Sequence, residues 1–113
     1  MSHEEYVEQR RHDVLQRIQQ AMDAKVGLLL AVRDVYAFLH QPEFRNRIRS
    51  EDYLFLKGVE SECDGLPLGT ERQFWAPESL REKDLKIESY EQEIRPELLS
   101  TLARIADSLS QAQ

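Results

Sequence analysis

Apolar side chains recur every three or four residues along most of the chain, which is the spacing of an amphipathic helix. The first stripe lies in residues 3–22, where the opposite face carries Gln, Arg and Glu. Ser2, followed by Glu4 and Glu5, predicts a helix cap with an acidic first turn. The apolar stripe consists of Val7, Val14, Ile18 and Ala21.

The next segment, "VGLLLAVRDVYAFL" over residues 26–39, is apolar on most of its sides. A helix of this kind is buried on most of its sides, so we expect it at the centre of the domain. Gly27 lies near its start, and a glycine costs only about 1 kcal/mol inside a helix. The sequence therefore leaves open whether residues 3–40 form one helix or two.

Pro42 ends this element, because the residue before a proline is disfavoured in helical geometry. We expect a short helical turn over 43–48 and a longer helix over about 51–63, with Ser50 as its cap. Asp64-Gly65 is a turn signal that opens an irregular stretch of residues 64–76.

Pro77 stands where an N1 proline would begin a helix. The segment after it is strongly helical but has a thin apolar stripe, and Pro96 is expected to kink or restart it. Residues 98–109 form a final helix that we expect to pack on the central helix 26–39. The two stripes are Leu80, Ile87, Tyr90, Ile94 and Leu98, Leu102, Ile105, Leu109.

These elements predict an all-α fold. We expect a single-domain antiparallel helical bundle of four to five helices over residues 1–113, with one long loop at about 64–76. Residues 110–113 are expected to fray.

Charge is unevenly distributed along the 113 residues, whose formal net charge is −6. Residues 1–50 carry eight Lys/Arg and seven Asp/Glu, a balance of +1, whereas residues 51–113 carry seven and fourteen, a balance of −7. An acidic half argues against nucleic acid as a partner, since that binding depends on Lys and Arg at phosphates. It favours a basic protein partner, or a solvated acidic face.

Cys63 is the only cysteine, so the chain forms no internal disulfide, which fits a reducing compartment. The first residues lack the apolar core of a signal peptide. The most apolar window, 26–39, is too short and too charged to span a bilayer. We expect a cytoplasmic protein that does not bind membranes.

No residue pattern specifies catalysis, a metal or a cofactor. No two of His3, His12 and His40 have the spacing that places two ligands on one helical face. Cys63 closes an apolar stripe and is expected to be a buried structural thiol. Glu88, Glu91 and Glu93 are carboxylates that could flank a cleft, although a charged helix face is usually solvated.

The stretch "ESECDGLPLGTERQFWAP", residues 60–77, combines carboxylates with apolar and aromatic side chains. Such a combination is typical of a protein-binding surface, because Trp and Arg dominate binding energies and acids attract a basic partner. Phe74 and Trp75 have an alternative role, which is to fold back and cover the open end of the bundle. The candidate partner-binding residues are Glu60, Glu62, Asp64, Arg72 and Trp75, with Glu88 and Glu91 of the following helix.

The function predicted from these observations is non-catalytic binding of a basic protein. Its most concrete form is an immunity or antitoxin-type inhibitor that masks the basic surface of a toxin or enzyme. The first alternative is a self-associating helical bundle, for example a homodimer, since thin stripes on 3–22 and 78–94 also suit an oligomer. The second is a small enzyme or ligand-binding bundle with carboxylates in its core.

Overall fold

The computed structural model describes residues 1–111 and confirms the all-α bundle. Its helices are α1 (His3–Met22), α2 (Leu28–Phe38), the one-turn α3 (Pro42–Arg45), α4 (Ser50–Glu62) and α5 (Pro77–Ser110), with a 3₁₀ helix at Thr70–Phe74 inside the long loop. None of these helices is both long enough and apolar enough to cross a membrane.

Residues 3–40 form two helices. The chain turns over residues 23–27, where Ala24 adopts a positive φ of 57°, and Gly27 then occupies the N-cap position of α2. Ser2 caps α1 as predicted, and its Oγ accepts a hydrogen bond from the Glu5 N–H at 3.1 Å. Arg49 rather than Ser50 occupies the N-cap position of α4.

The four long helices form a ring in which α1 neighbours α2, α2 neighbours α4, α4 neighbours α5, and α5 neighbours α1. Neighbouring helices are antiparallel. The evidence is that contacts made farther along one helix involve residues that lie earlier in its neighbour. Between α1 and α2 these contacts are Arg10 with Phe38 and Arg17 with Asp34, and between α2 and α4 they are Arg33 with Glu60 and Tyr36 with Tyr53.

Residues 98–109 belong to α5, whose closest helix neighbours are α1 and α4. Both this segment and the central helix contribute to one core cluster. Direct packing of 98–109 on α2 stays a prediction. Val32 and Val35 of α2 and Leu98, Leu102 and Ile105 of α5 are all fully buried.

Of the two outcomes predicted at Pro96, a kink or a restart, the structure excludes the restart, since α5 continues through Pro96 for 34 residues in all. Pro96 is exposed. Water can therefore solvate the carbonyl of Gln92, which loses its usual backbone donor. Fraying was predicted for 110–113; Ser110 is helical, Gln111 follows α5, and 112–113 lie outside the described residues.

Candidate protein-binding surface

Arg33 of α2 is partly exposed and binds the long loop. Its Nη1 donates to Oε2 of Glu71 at 2.7 Å, and its Nη2 lies 3.5 Å from the carbonyl oxygen of Leu66. The other oxygen of Glu71 accepts a hydrogen bond from the Gly69 N–H at 2.8 Å. One arginine of the central helix therefore fixes two points of the loop.

Glu60 faces the same arginine. Its Oε1 lies 4.0 Å from Arg33 Nε, while its Oε2 is buried without a hydrogen-bond partner among the described residues. Burial raises the pKa of the Glu60 carboxyl, and the charge of Arg33 opposes that shift. Among the candidate partner-binding acids at 60–64, Glu60 is thus only partly exposed, because it is on the α2 side of α4.

Arg72 is occupied by contacts within the chain. Its Nη1 and Nη2 donate to the two carboxylate oxygens of Asp84 at 2.7 and 2.9 Å, and Nη1 also donates to the Pro67 carbonyl at 2.9 Å. This two-point ion pair joins the loop to α5, which is a geometry that holds position well. Arg72 therefore fixes the loop rather than offering a free guanidinium.

Cys63 is buried, with 2% of its surface exposed, as its place on an apolar stripe predicts. Burial raises the pKa of its thiol to about 11, and nearby Glu60 adds to that shift. The thiol is thus protonated at neutral pH and packs as a small apolar side chain.

Glu62 and Asp64 are exposed at the C-terminal end of α4. Neither forms an ion pair within residues 1–111, and the last turn of α4 carries no basic residue. Carboxylates at this end of a helix are repelled by the partial negative charge of its free carbonyl groups. Their position is therefore locally unfavourable.

Glu93 of α5 is a further acid on this side of the bundle, and it is not among the predicted partner-binding residues. Burial raises the pKa of Tyr90, and Cys63, Glu62 and Glu93 raise it further, so both carboxylates are near that hydroxyl. The signal in the sequence is that Glu93 follows Tyr90 by three residues, which puts both on neighbouring parts of one helix face. We call Glu62, Asp64 and Glu93 the acidic seam.

Glu88 and Glu91 lie on other faces of α5. Glu91 lines a crevice beside the α1–α2 turn, where its carboxylate is 4.0 Å from Arg95 Nη1. Glu88 is exposed. Because α5 turns by about 100° per residue, neither side chain shares the Tyr90–Glu93 side of the helix.

The loop covers the bundle with aliphatic rather than aromatic side chains. Leu66 and Leu68 pack against the core, whereas Phe74 is 83% exposed and Trp75 is half-buried. Phe74 therefore does not cover the end of the bundle. Whether either ring contacts a partner stays a prediction.

One carboxylate lies in the core among the described residues, and it is paired. Asp52 is 2% exposed, and its Oδ1 accepts a hydrogen bond from Arg104 Nε at 3.0 Å. Within residues 1–111 no group of three or more His, Cys, Asp or Glu side chains is arranged to hold a metal ion.

Comparisons with protein-family models, with curated proteins and with solved structures find no match for this chain.

Proposed function

We propose that this protein is a non-catalytic binding module whose acidic seam recognises a basic surface of another protein. The observation that carries the proposal is the exposure of Glu62 and Asp64, without an ion-pair partner among the described residues, at the C-terminal end of α4. Such carboxylates oppose the helix dipole. A basic partner would remove that repulsion on binding.

The surrounding contacts support a preformed site. Glu60 and Glu71 meet Arg33, and Asp84 meets Arg72, so the loop next to the seam is fixed before any partner arrives. Interfaces that need little ordering on binding lose less affinity to conformational entropy. Exposed acids also attract a basic partner over a distance and accelerate association.

The most concrete form of the proposal is an immunity or antitoxin-type inhibitor that masks a basic enzyme surface. Its support is the net charge of −6 together with the acidic second half of the chain. The step from a basic partner to a toxin rests on analogy alone. The cytoplasmic location predicted from the lone cysteine belongs to the same proposal.

The test is affinity capture from the native cell with three forms of the full chain. These are the wild type, the seam variant Glu62→Lys with Asp64→Lys, and the control Glu4→Lys with Asp107→Lys, which reverses two exposed acids far from the seam. We expect a basic protein on the wild type and the control that elutes as salt rises, because salt screens exposed charges. Equal capture by the seam variant would refute the proposal.

The inhibitor form adds a second readout. A captured enzyme should lose activity when one equivalent of the wild-type chain is added, and it should stay active when one equivalent of the seam variant is added instead. Activity that is unaffected by the wild type would refute inhibition while leaving binding intact.

A further inference from the structure

The N-terminal part of α5 extends beyond the rest of the bundle. With 34 residues α5 is about 50 Å long, whereas the 20 residues of α1 span about 30 Å. The α1–α2 turn lies beside Glu91 and Arg95, and the first fully buried residue of α5 is Leu98. Residues 77–89, which we call the arm, therefore run past the end of α1.

The loop covers only one side of the arm. Pro67, Leu68 and Arg72 contact the side that carries Asp84 and Ile87. The flank next to that side, which we call the outer face, is solvent-exposed throughout. Its residues are Glu78, Arg81, Leu85, Glu88 and Gln92.

Leu85 stands at the centre of this face and is 70% exposed. Arg81 precedes it by four residues and Glu88 follows it by three, so both lie on the same flank of the helix. Neither charge belongs to an ion pair within residues 1–111. Around the apolar centre, Arg81 supplies a positive charge on one side and Glu88 a negative charge on the other, and Glu78 lies farther out.

This arrangement is complementary to itself. In an antiparallel helix pair with a twofold axis at Leu85, each flank meets the same flank of the second copy in reverse order. Arg81 of each copy then faces Glu88 of the other, and the Leu85 side chains meet at the axis. Glu78 comes opposite Gln92, so none of these positions faces a like charge. Charge pairs that flank an apolar helix contact, such as Arg81 with Glu88, set the relative orientation of the two helices.

We propose that the outer face of the arm is a homodimer interface, in which two copies pair antiparallel about Leu85 through reciprocal contacts between Arg81 and Glu88. The interface goes beyond the proposed function because it shares no residue with the acidic seam. A contact of one helix face lies at the small end of specific interfaces, so the dimer is weak and concentration-dependent.

The test is sedimentation equilibrium of the full chain from about 1 to 500 μM, a range chosen for a weak interface. We expect the wild-type mass to approach that of two chains as concentration rises. Arg81→Glu and Glu88→Arg should each weaken association by about tenfold or more, since each places like charges opposite each other twice. The double variant Arg81→Glu with Glu88→Arg should restore association.

Lys57→Glu is the matched control, because it makes the same charge change as Arg81→Glu at an exposed position on α4. It should associate like the wild type. A wild type that is monomeric throughout, single variants that match the control, or a double variant that does not recover would each overturn the proposal.

The position of the axis has its own test. Leu85→Cys should form a disulfide-linked dimer on mild oxidation, because helix positions at a close twofold axis reach disulfide distance. Glu78→Cys should not, because that position faces Gln92 of the other copy. Crosslinking of Glu78→Cys but not Leu85→Cys would contradict the antiparallel register.

Discussion

The guanidinium of Arg33 and the carboxylate of Glu71 lie 2.7 Å apart, although 38 residues separate them in the sequence. Because the same arginine also faces Glu60 and the Leu66 carbonyl, it connects the central helix to the end of α4 and to the loop. The loop therefore depends on a residue within the apolar segment 26–39.

Replacing Arg33 by Ala should lower the free energy of unfolding by about 2 kcal/mol. The variant loses the hydrogen bonds of Arg33 to the Glu71 carboxylate and the Leu66 carbonyl. It also leaves the half-buried charge of Glu60 without a nearby positive group. Urea unfolding measures this loss, and faster proteolysis within 66–76 should accompany it. Arg17→Ala is the control, because Arg17 forms a single pair with Asp34 at similar exposure; such a pair contributes at most about 1 kcal/mol. Equal losses in the two variants would contradict the central role of Arg33.

Glu60 and Glu71 should respond to pH with opposite signs, although both face Arg33. Burial raises the pKa of the Glu60 carboxyl above its ordinary value of 4.5. Its ionised form therefore lowers the free energy of unfolding at neutral pH. This cost decreases as pH falls through the raised pKa and is absent below 4.5. The hydrogen bond from Arg33 lowers the pKa of Glu71, so its stabilisation is full above 4.5 and is lost as pH falls through the lowered pKa.

At neutral pH, Glu60→Gln should therefore increase the free energy of unfolding and Glu71→Gln should decrease it. Both differences from the wild type should shrink in acid, as urea unfolding across a pH series would show. A loss of stability in Glu60→Gln at neutral pH would mean that attraction to Arg33 outweighs the cost of burial.

The acids of the seam should be unfavourable for folding. Glu62→Lys should raise the free energy of unfolding by about 0.3 to 1 kcal/mol at low salt, because it replaces a negative charge by a positive one at a helix C-terminus. Glu4→Lys, in the first turn of α1, should lower it by a similar amount for the converse reason. A destabilised Glu62→Lys would give this acid a structural role and remove the main support for the binding proposal.

Asp52 and Arg104 form the most buried ion pair among the described residues. Arg104→Ala should cost about 2 kcal/mol, because it leaves the buried Asp52 carboxyl group without its partner; the cost is less than for a fully buried pair, since the arginine is partly exposed. Asp52→Asn combined with Arg104→Ala should recover part of that loss. A double-mutant cycle measures this, and a double variant that is less stable than Arg104→Ala would contradict the account.

The periodicity of apolar residues was sufficient to predict the helices and most of the core. Val14, Ile18, Val32 and Leu102 are buried as their spacing requires. What it could not predict was which helices are neighbours, because a stripe such as 98–109 fits α2 as well as it fits α1 and α4. The continuity of α5 through Pro96 was equally hidden, since it depends on that residue facing solvent.

The candidate surface was predicted only in part. Composition identified the acidic stretch at 60–64, but the inward position of Glu60 depends on Arg33, which is 27 residues earlier in the chain. The pairing of Arg72 with Asp84 was hidden for the same reason, because no local pattern specifies a contact between a loop and a later helix. Glu93 was outside the predicted surface, although its spacing of three residues from Tyr90 puts both on one side of α5.

The most direct test of the acidic seam is the dissociation constant of the captured partner for the wild type, for Glu62→Lys with Asp64→Lys, and for Glu4→Lys with Asp107→Lys, each at low and at high salt. At low salt we expect the seam variant to bind at least about tenfold more weakly than the wild type, while the control stays within about twofold. High salt should reduce this difference in dissociation constant, because screening weakens exposed charge contacts. Equal constants for all three forms at low salt would contradict the claim that the seam binds the partner.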